Sequence, residues 1–272
     1  MKTGKIIVDL LIEDDVNRAN ILSNEVEFLN QNRRRIEKDV VDEALEQIDN
    51  ERFTNIVYGE GWNQGVLGIV ASRIIERSYK PTIVMTKSNE DILTGSVRSV
   101  KDYDVYQSLS ECEDNIIQYG GHKYAAGLKI KKTKFDIFKN QFEDIVKDSV
   151  GQIMFNRSFS YDLLIDFSQL TIENVKIIKR MSPFGLGNKR PVFRTNNCFI
   201  GSKLKFLGKD EQVVKSKIKD KNGSQLPFIC FDKKSKLVDL KSSFDILYNV
   251  NLNSFSGQDM IELTLREVYI KK

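Results

Sequence analysis

Histidine is almost missing from this chain: His122 stands alone among 272 residues. Cysteine is scarce as well. Cys112, Cys198 and Cys230 are far apart and odd in number, and no Cys-x-x-Cys pair occurs. A zinc site is therefore improbable. A disulfide framework is excluded, and the thiols read as the reduced cysteines of a cytoplasmic protein. No apolar run approaches the roughly 20 residues needed to cross a bilayer, so no membrane partner is expected. The apolar N-terminal stretch Ile6–Ile12 is interrupted by Asp9, and no small-residue cleavage site follows, so it is a poor secretory signal. Glycine and proline are absent from Lys5 to Tyr58.

With 40% hydrophobic and 29% charged residues, the chain reads as globular, and its length suits one large domain or two modest ones. The net charge of +4 conceals an asymmetry. Residues 1–150 carry 21 basic and 26 acidic side chains, whereas residues 151–272 carry 21 and 12. The positive second half suits a polyanion partner. It also suits a merely solubilising surface, and charge alone does not choose.

Residues 14–50 read as one long helix, with Val16, Ala19, Leu22, Val26, Leu29, Ile36, Val40, Ala44 and Ile48 near helical spacing. At 1.5 Å per residue it would be roughly 50 Å long, which suggests a connector between two bodies. It carries Arg33-Arg34-Arg35, either a functional cluster or a solvated face. From residue 51 to 150, strand and helix patterns alternate. Strands are expected at Asn55–Tyr58, Thr82–Thr86, Ile92–Ser99 and Leu128–Lys131, and helices at Val66–Ser78, Val105–Glu113 and Lys134–Val150. This alternation implies an α/β layered domain. After Gly151 a helical stretch over Ser168–Arg180 and a Gly/Pro-rich segment, Ser182–Pro191, precede β-rich runs. These are Cys198–Phe206, Val213–Lys219, Pro227–Phe231, Phe244–Leu252 and Met260–Tyr269. Turns are expected at Gly208-Lys209-Asp210, Lys221-Asn222-Gly223 and Ser256-Gly257-Gln258. Five short strands in that space suggest an OB-fold barrel.

Four places carry candidate chemistry. Gly61-Trp62-Asn63-Gln64-Gly65 runs into a helix start, where free N–H groups favour an anion; it equally fits a tight turn with a packed Trp. In Gly95-Ser96-Val97-Arg98-Ser99, Ser96 and Arg98 share one strand face and can hold one phosphate together. In Gly120-Gly121-His122-Lys123-Tyr124-Ala125-Ala126-Gly127, the glycines read as a turn that permits close backbone approach to a ligand, and His122 is a phosphate donor or a structural hydrogen-bonder. Finally, Lys203, Lys205, Lys215, Lys217, Lys219 and Lys221 are interleaved with Phe206, Phe228 and Phe231. Basic strands with aromatic neighbours hold single-stranded nucleic acid by electrostatics and stacking. The phenylalanines fit a barrel core equally well.

In order as well as in wording, these segments resemble the RecJ family of single-strand-specific exonucleases in the DHH phosphoesterase superfamily. The resemblance rests on Leu29-Asn30-x-x-Arg33-Arg34-x-Ile36-Glu37, the Gly-Trp loop entering a helix, Gly-Ser-x-Arg-Ser and Gly-Gly-His-x-x-Ala-Ala-Gly. Pro183-Phe184-Gly185-Leu186-Gly187-Asn188 then leads into the barrel region. The resemblance implies three parts: a connector helix over residues 1–50, a DHH-associated α/β domain over 51–150 and an OB-fold domain over 151–272. It implies the substrate-binding C-terminal portion of an enzyme that degrades single-stranded DNA 5′→3′ in repair and recombination. Ser96, Arg98 and His122 would contact phosphate, with Gly120 and Gly121 letting it approach and Asn63, Arg33 and Arg34 as further contacts. Lys203, Lys205, Lys215 and Lys217 would grip the strand. Expected partners are single-stranded DNA, the chain's own catalytic domain, and single-strand-binding and other repair proteins.

Two departures qualify this. No Asp-His-His occurs, so the Mn²⁺ or Mg²⁺ pair of the family's DHH domain has no ligands here, and no nuclease activity is expected of this chain alone. Its abrupt start at the head of the connector favours a separately expressed C-terminal portion over a natural short protein. Asn63 replaces the family's usual His and cannot carry charge. The alternatives are a non-catalytic single-strand-binding module or another DHH-superfamily phosphoesterase such as an oligoribonuclease, although the latter generally lacks the barrel.

Overall fold

The fold is seen in a computed structural model that describes residues 4–149, 159–185, 187–208, 211, 213–231, 237, 240, 242–253 and 258–270. The chain divides into two compact units, residues 1–157 and 158–272.

The first unit begins with two helices, α1 (Lys5–Leu11) and α2 (Val16–Glu46). The long helix thus starts after a separate short one that the apolar stretch at Ile6 had not suggested. Asp15 accepts from the Arg18 N–H at 2.8 Å and caps α2. Only the last third of α2 is buried, through Glu37, Val40, Val41 and Ala44.

A five-stranded sheet follows, ordered β1 (Asn55–Gly59), β2 (Thr82–Lys87), β3 (Ile92–Arg98), β5 (Ala125–Lys131), β4 (Gln118–His122). β1 and β2 are parallel; the other pairs are antiparallel. α3 (Leu67–Arg77) buries Leu67, Val70, Ala71 and Ile74, a one-sided helical stripe, against one sheet face together with α2. α4 (Val105–Ser110) and α5 (Phe135–Ser149) cover the opposite face, α5 through Phe138, Phe142 and Val146. The β2 strand is buried from Thr82 to Thr86 because helices lie on both of its faces. Gly120 and Gly121, read from sequence as a turn, lie inside β4. The turn is Lys123-Tyr124, and the period-2 pattern of β4 was hidden because its glycines carry no side chains to alternate. The expected helix end at Val150 lies outside the described residues.

The second unit holds α6 (Ile172–Arg180) and β6 (Leu163–Leu164), β7 (Phe193–Ile200), β8 (Lys205–Leu207), β9 (Val213–Lys219), β10 (Gln225–Phe231), β11 (Phe244–Asn253) and β12 (Met260–Ile270). The pairings run β7-β11-β12-β10-β9, and β9 pairs again with β7 through Phe199 opposite Lys219 and Ile200 opposite Ile218. Only β10–β12 is parallel within this five-strand cycle. β6 and β8 attach outside it. The strand expected at Cys198–Phe206 is two strands, β7 beginning five residues earlier and β8 following after Gly201. Val214, Ile218, Phe228, Cys230, Tyr248, Leu263 and Leu265 fill the core. Asp220, buried, accepts from the N–H groups of Asn222, Ser224 and Phe167, which fixes the expected turn at Lys221-Asn222-Gly223. Of the expected turns, Lys209-Asp210 and Ser256-Gly257 lie outside the described residues.

Candidate nucleic-acid interface

Strand register brings the separate motifs of the first unit onto one surface. Across the sheet, Asn55, Thr82, Arg98, Ala125 and His122 form one row, and Val57, Val84, Ser96, Gly127 and Gly120 form a second. A third runs through Gly59, Thr86, Thr94, Lys129 and Gln118. All three rows are on the α2–α3 side. α3 packs on β2 and β3, leaving Gly127, Lys129, Gly120 and His122 exposed beside it. The result is an open shelf with a bare floor. His122 is two strands from Arg98, roughly 10 Å at 4.8 Å per strand.

Arg98 and Ser96 stand at the inner edge of that shelf. The Arg98 guanidinium donates to Ser96 Oγ (3.1 Å) and to the Val97 carbonyl (2.8 Å). A Cβ on Gly68, in the first turn of α3, would lie 2.7 Å from Arg98 Nη2 and 3.2 Å from Ser96 Oγ. The positive end of α3, a guanidinium and a hydroxyl therefore meet at one half-buried place, a combination suited to a phosphate.

The Gly-Trp loop is what sets this helix start. The Trp62 ring lies on Gly59, where any Cβ would clash at 2.1 Å. Its indole N–H donates to Glu43 Oε2 of α2 at 2.7 Å. The buried Thr86 hydroxyl, at the end of β2, donates to the carbonyls of Gly59 (2.7 Å) and Trp62 (2.9 Å). Asn63 accepts from the Gly65 N–H at 2.9 Å and caps the turn into α3. Asn63 is thus placed as a cap near the site.

Arg33 and Arg34 are not brought to the shelf by any contact seen. Arg33 is engaged by Glu37 (2.6 Å) and by Asn30 (3.1 Å). Glu37 also accepts from Arg73 Nε of α3 at 3.2 Å, so this carboxylate ties the two helices together. Pairing with Glu37, and then with Glu76, raises the Arg73 pKa. Arg34 is exposed.

In the second unit, Lys215, Lys217 and Lys219 alternate on the outer face of β9, and Lys205 pairs beside Lys215. Lys203 is exposed just before β8, and Lys215 is paired with Glu262 at 3.6 Å. Lys221 lies beyond the strand and pairs with Asp166 at 3.6 Å. Phe228 is in the core and so cannot stack on a base; Phe206, partly buried, packs against that core, and Phe231 is 49% exposed. The aromatic that sequence reasoning missed is Phe199, 47% exposed and directly opposite Lys219 in the β7–β9 pairing. Nothing local marks it, because the pairing that places it joins strands 20 residues apart.

Two family descriptions match consecutive parts of the chain, the DHHA1 domain over residues 36–148 and the RecJ OB domain over residues 161–267. Among curated proteins, the single-stranded-DNA-specific exonuclease RecJ of Bacillus subtilis is 28% identical over 271 residues, and that of Dickeya dadantii 29% over 276. The chain is a homologue of the C-terminal portion of RecJ. These alignments take in 97% and 96% of the chain but only 34% and 47% of the two RecJ proteins. The chain thus spans less than half the length of these relatives. The crystal structure of RecJ with Mn²⁺ from Thermus thermophilus matches 99% of the chain with a TM-score of 0.81 at 23% identity, and the chain covers 39% of it. That likeness is one of fold.

The Mn²⁺ of that structure has no counterpart in the donor set seen here. Among the described residues, no three His, Cys, Asp or Glu side chains are grouped so as to hold a metal ion. The shelf offers cationic and neutral donors instead, which fit phosphate and not a metal. No described helix is long and apolar enough to cross a membrane.

Proposed function

We propose that this chain is the substrate-binding portion of a RecJ-like exonuclease that degrades single-stranded DNA 5′→3′, acting in the cytoplasm in repair and recombination. In this reading residues 1–50 are the connector region that holds α1 and α2, residues 51–150 the DHH-associated domain and residues 151–272 the OB domain. Arg98 and Ser96 hold a phosphate at the start of α3, with His122 a further donor across the bare strip of Gly127 and Gly120. Lys203, Lys205, Lys215, Lys217 and Phe199 contact the strand on the second unit. Metal-dependent hydrolysis belongs to a DHH domain, whose motif these 272 residues do not contain, and the chain alone is inactive. Its partners are single-stranded DNA, that domain, and single-strand-binding and other repair proteins.

The observation that carries this is the convergence of Ser96, Arg98 and the first turn of α3 on one open face, from segments about 30 residues apart in sequence. The test is fluorescence anisotropy of this chain with a labelled single strand across a salt series, with duplex as the comparison. Salt-dependent binding to the single strand and much weaker binding to duplex are expected. Arg98→Ala should weaken binding to a 5′-phosphorylated strand more than to a 5′-hydroxyl strand. Equal losses would refute the phosphate assignment, and no binding at low salt would refute the reading itself.

A further inference from the structure

The loop joining α6 to β7 holds the Pro183-Phe184-Gly185 segment, to which the reading above gives no task. From Asn174 to Lys209 the sequence contains no Asp or Glu but nine Lys and Arg residues. Lys179, Arg180, Lys189 and Arg190 of this stretch are all exposed and flank the loop. Lys179 and Arg180 have an ordinary role, since cations at a helix C-terminus offset its dipole. Lys189 and Arg190 have no such explanation.

Hydrogen bonds tie the described residues of this loop to one another and to α6. The Asn188 side-chain amide donates to the Met181 carbonyl (2.8 Å) and to the Pro183 carbonyl (2.9 Å), tying the loop to the end of α6. Gly185 and Asn188 exchange backbone bonds of 2.9 and 3.2 Å. The Arg190 guanidinium lies 5.1 Å from the centre of the Phe184 ring and donates to Asn251 Oδ1 of β11.

Arg194 of the same unit supplies a contrast. It too lies over an aromatic ring, Tyr161 at 5.4 Å, but it is neutralised by Asp245 at 2.8 Å. Arg190 is oriented by a neutral amide and a ring, and among the described residues no carboxylate pairs with it. Its charge is held in place and left unspent. A cation preorganised in this way loses little freedom on meeting an anion.

Register places this arginine on the same outer surface as the lysines. Asn251 lies opposite Glu262 of β12, and Asn251 Nδ2 donates to Thr264 Oγ1 at 2.7 Å. Thr264 lies opposite Ile229 of β10, and Ile229 opposite Lys215 of β9. Three strand steps separate the two ends, roughly 14 Å.

We infer that Arg190, with Lys189, is a second phosphate contact for single-stranded nucleic acid, at the opposite end of the outer sheet face from Lys215 and Lys217. This rests on the strand-binding reading proposed above. A strand crossing β9, β10, β12 and β11 is held at both edges, within the 4–16 nucleotides that one OB fold typically covers.

The test uses the 272-residue chain and a fluorescein-labelled 20-nucleotide oligothymidylate, titrated from 50 to 200 mM salt. For single strands, log affinity against log salt changes by about 0.7 per phosphate contact. Arg190→Ala should lower the slope by about that amount and weaken binding at 50 mM salt roughly ten-fold. Arg190→Lys should keep the slope while losing part of the affinity. Lys189→Glu removes an exposed cation without touching the loop's internal bonds, and should weaken binding even if Arg190→Ala disturbs the fold. Wild-type slope and affinity in both Arg190→Ala and Lys189→Glu, with a loss in Lys217→Ala, would overturn the inference and leave strand binding intact. Absence of salt-dependent binding in the wild type would remove both.

Discussion

Replacing Gly68 by alanine separates the stability of the first unit from its proposed phosphate site. The new methyl would lie 2.7 Å from Arg98 Nη2, well inside van der Waals contact, and 3.2 Å from Ser96 Oγ. The guanidinium is the free end of a flexible side chain, so it swings away and the backbone stays. Two hydrogen bonds are then at risk, to Ser96 Oγ and to the Val97 carbonyl, each worth about 1 kcal/mol net. Alanine in a helix gains about 0.5–1 kcal/mol over glycine. The helix gain offsets part of that loss, and the urea midpoint should fall by no more than the equivalent of about 1.5 kcal/mol. Binding is different. A charge-assisted bond to phosphate is worth about 1.5–3 kcal/mol, or roughly 10- to 150-fold in affinity. Anisotropy with 5′-phosphorylated and 5′-hydroxyl strands should show that loss only for the former. A folded Gly68→Ala protein that still discriminates between the two strands would refute the placement of the phosphate at the start of α3.

Three further outcomes follow from particular contacts. Gly121 has φ +149°, and a Cβ there would meet the Ala125 carbonyl at 2.4 Å, so Gly121→Ala should cost about 2 kcal/mol or more by denaturation; Gly120, with nothing within 4 Å, should tolerate alanine and lose only strand binding. Glu37→Gln removes the shared partner of Arg33 and Arg73 and should cost about 1–3 kcal/mol; a urea midpoint shift equivalent to less than about 0.5 kcal/mol would show that α2 and α3 are held by packing alone. Burial pushes the Cys112 and Cys198 thiols up to about 12 from 9.0. The folded state therefore keeps protons that the unfolded chain loses. Stability is complete below pH 9 and falls between pH 9 and 12, by up to about 1.4 kcal/mol per pH unit for each thiol. Urea midpoints at pH 8 and 10.5 should differ, and Cys112→Ala with Cys198→Ala should shrink that difference.

Much of the fold was legible because its elements obey simple periods. The Leu67, Val70 and Ile74 stripe marks α3, and Thr82–Thr86 is a continuous buried run bounded by Pro81. Ser96 and Arg98 sharing a face follows from strand geometry alone, and their mutual bond agrees with it. Gly120 and Gly121 misled, since strand glycines look like turn glycines when no side chain alternates. The interleaving of lysines with phenylalanines left stacking and core readings both open, because sequence spacing does not say which face of β10 Phe228 occupies.

The sequence by itself determined the two textures of the chain, the alternating α/β half and the basic β-rich half, along with the scarcity of His and Cys and the residue types suited to phosphate. These depend on composition and short-range period, which no folding changes. Only the tertiary structure decided that Ser96 and Arg98 meet Gly68 at a helix start, that Gly127 and Gly120 continue their row, and that Phe199 stands beside Lys219. It also decided that Arg33 is occupied by Glu37 while Arg190 keeps its charge unpaired among the described residues. Each of these rests on strand register or on helix-to-sheet packing between segments distant in sequence. A one-residue slip in any of those registers would turn the same side chains to the opposite face.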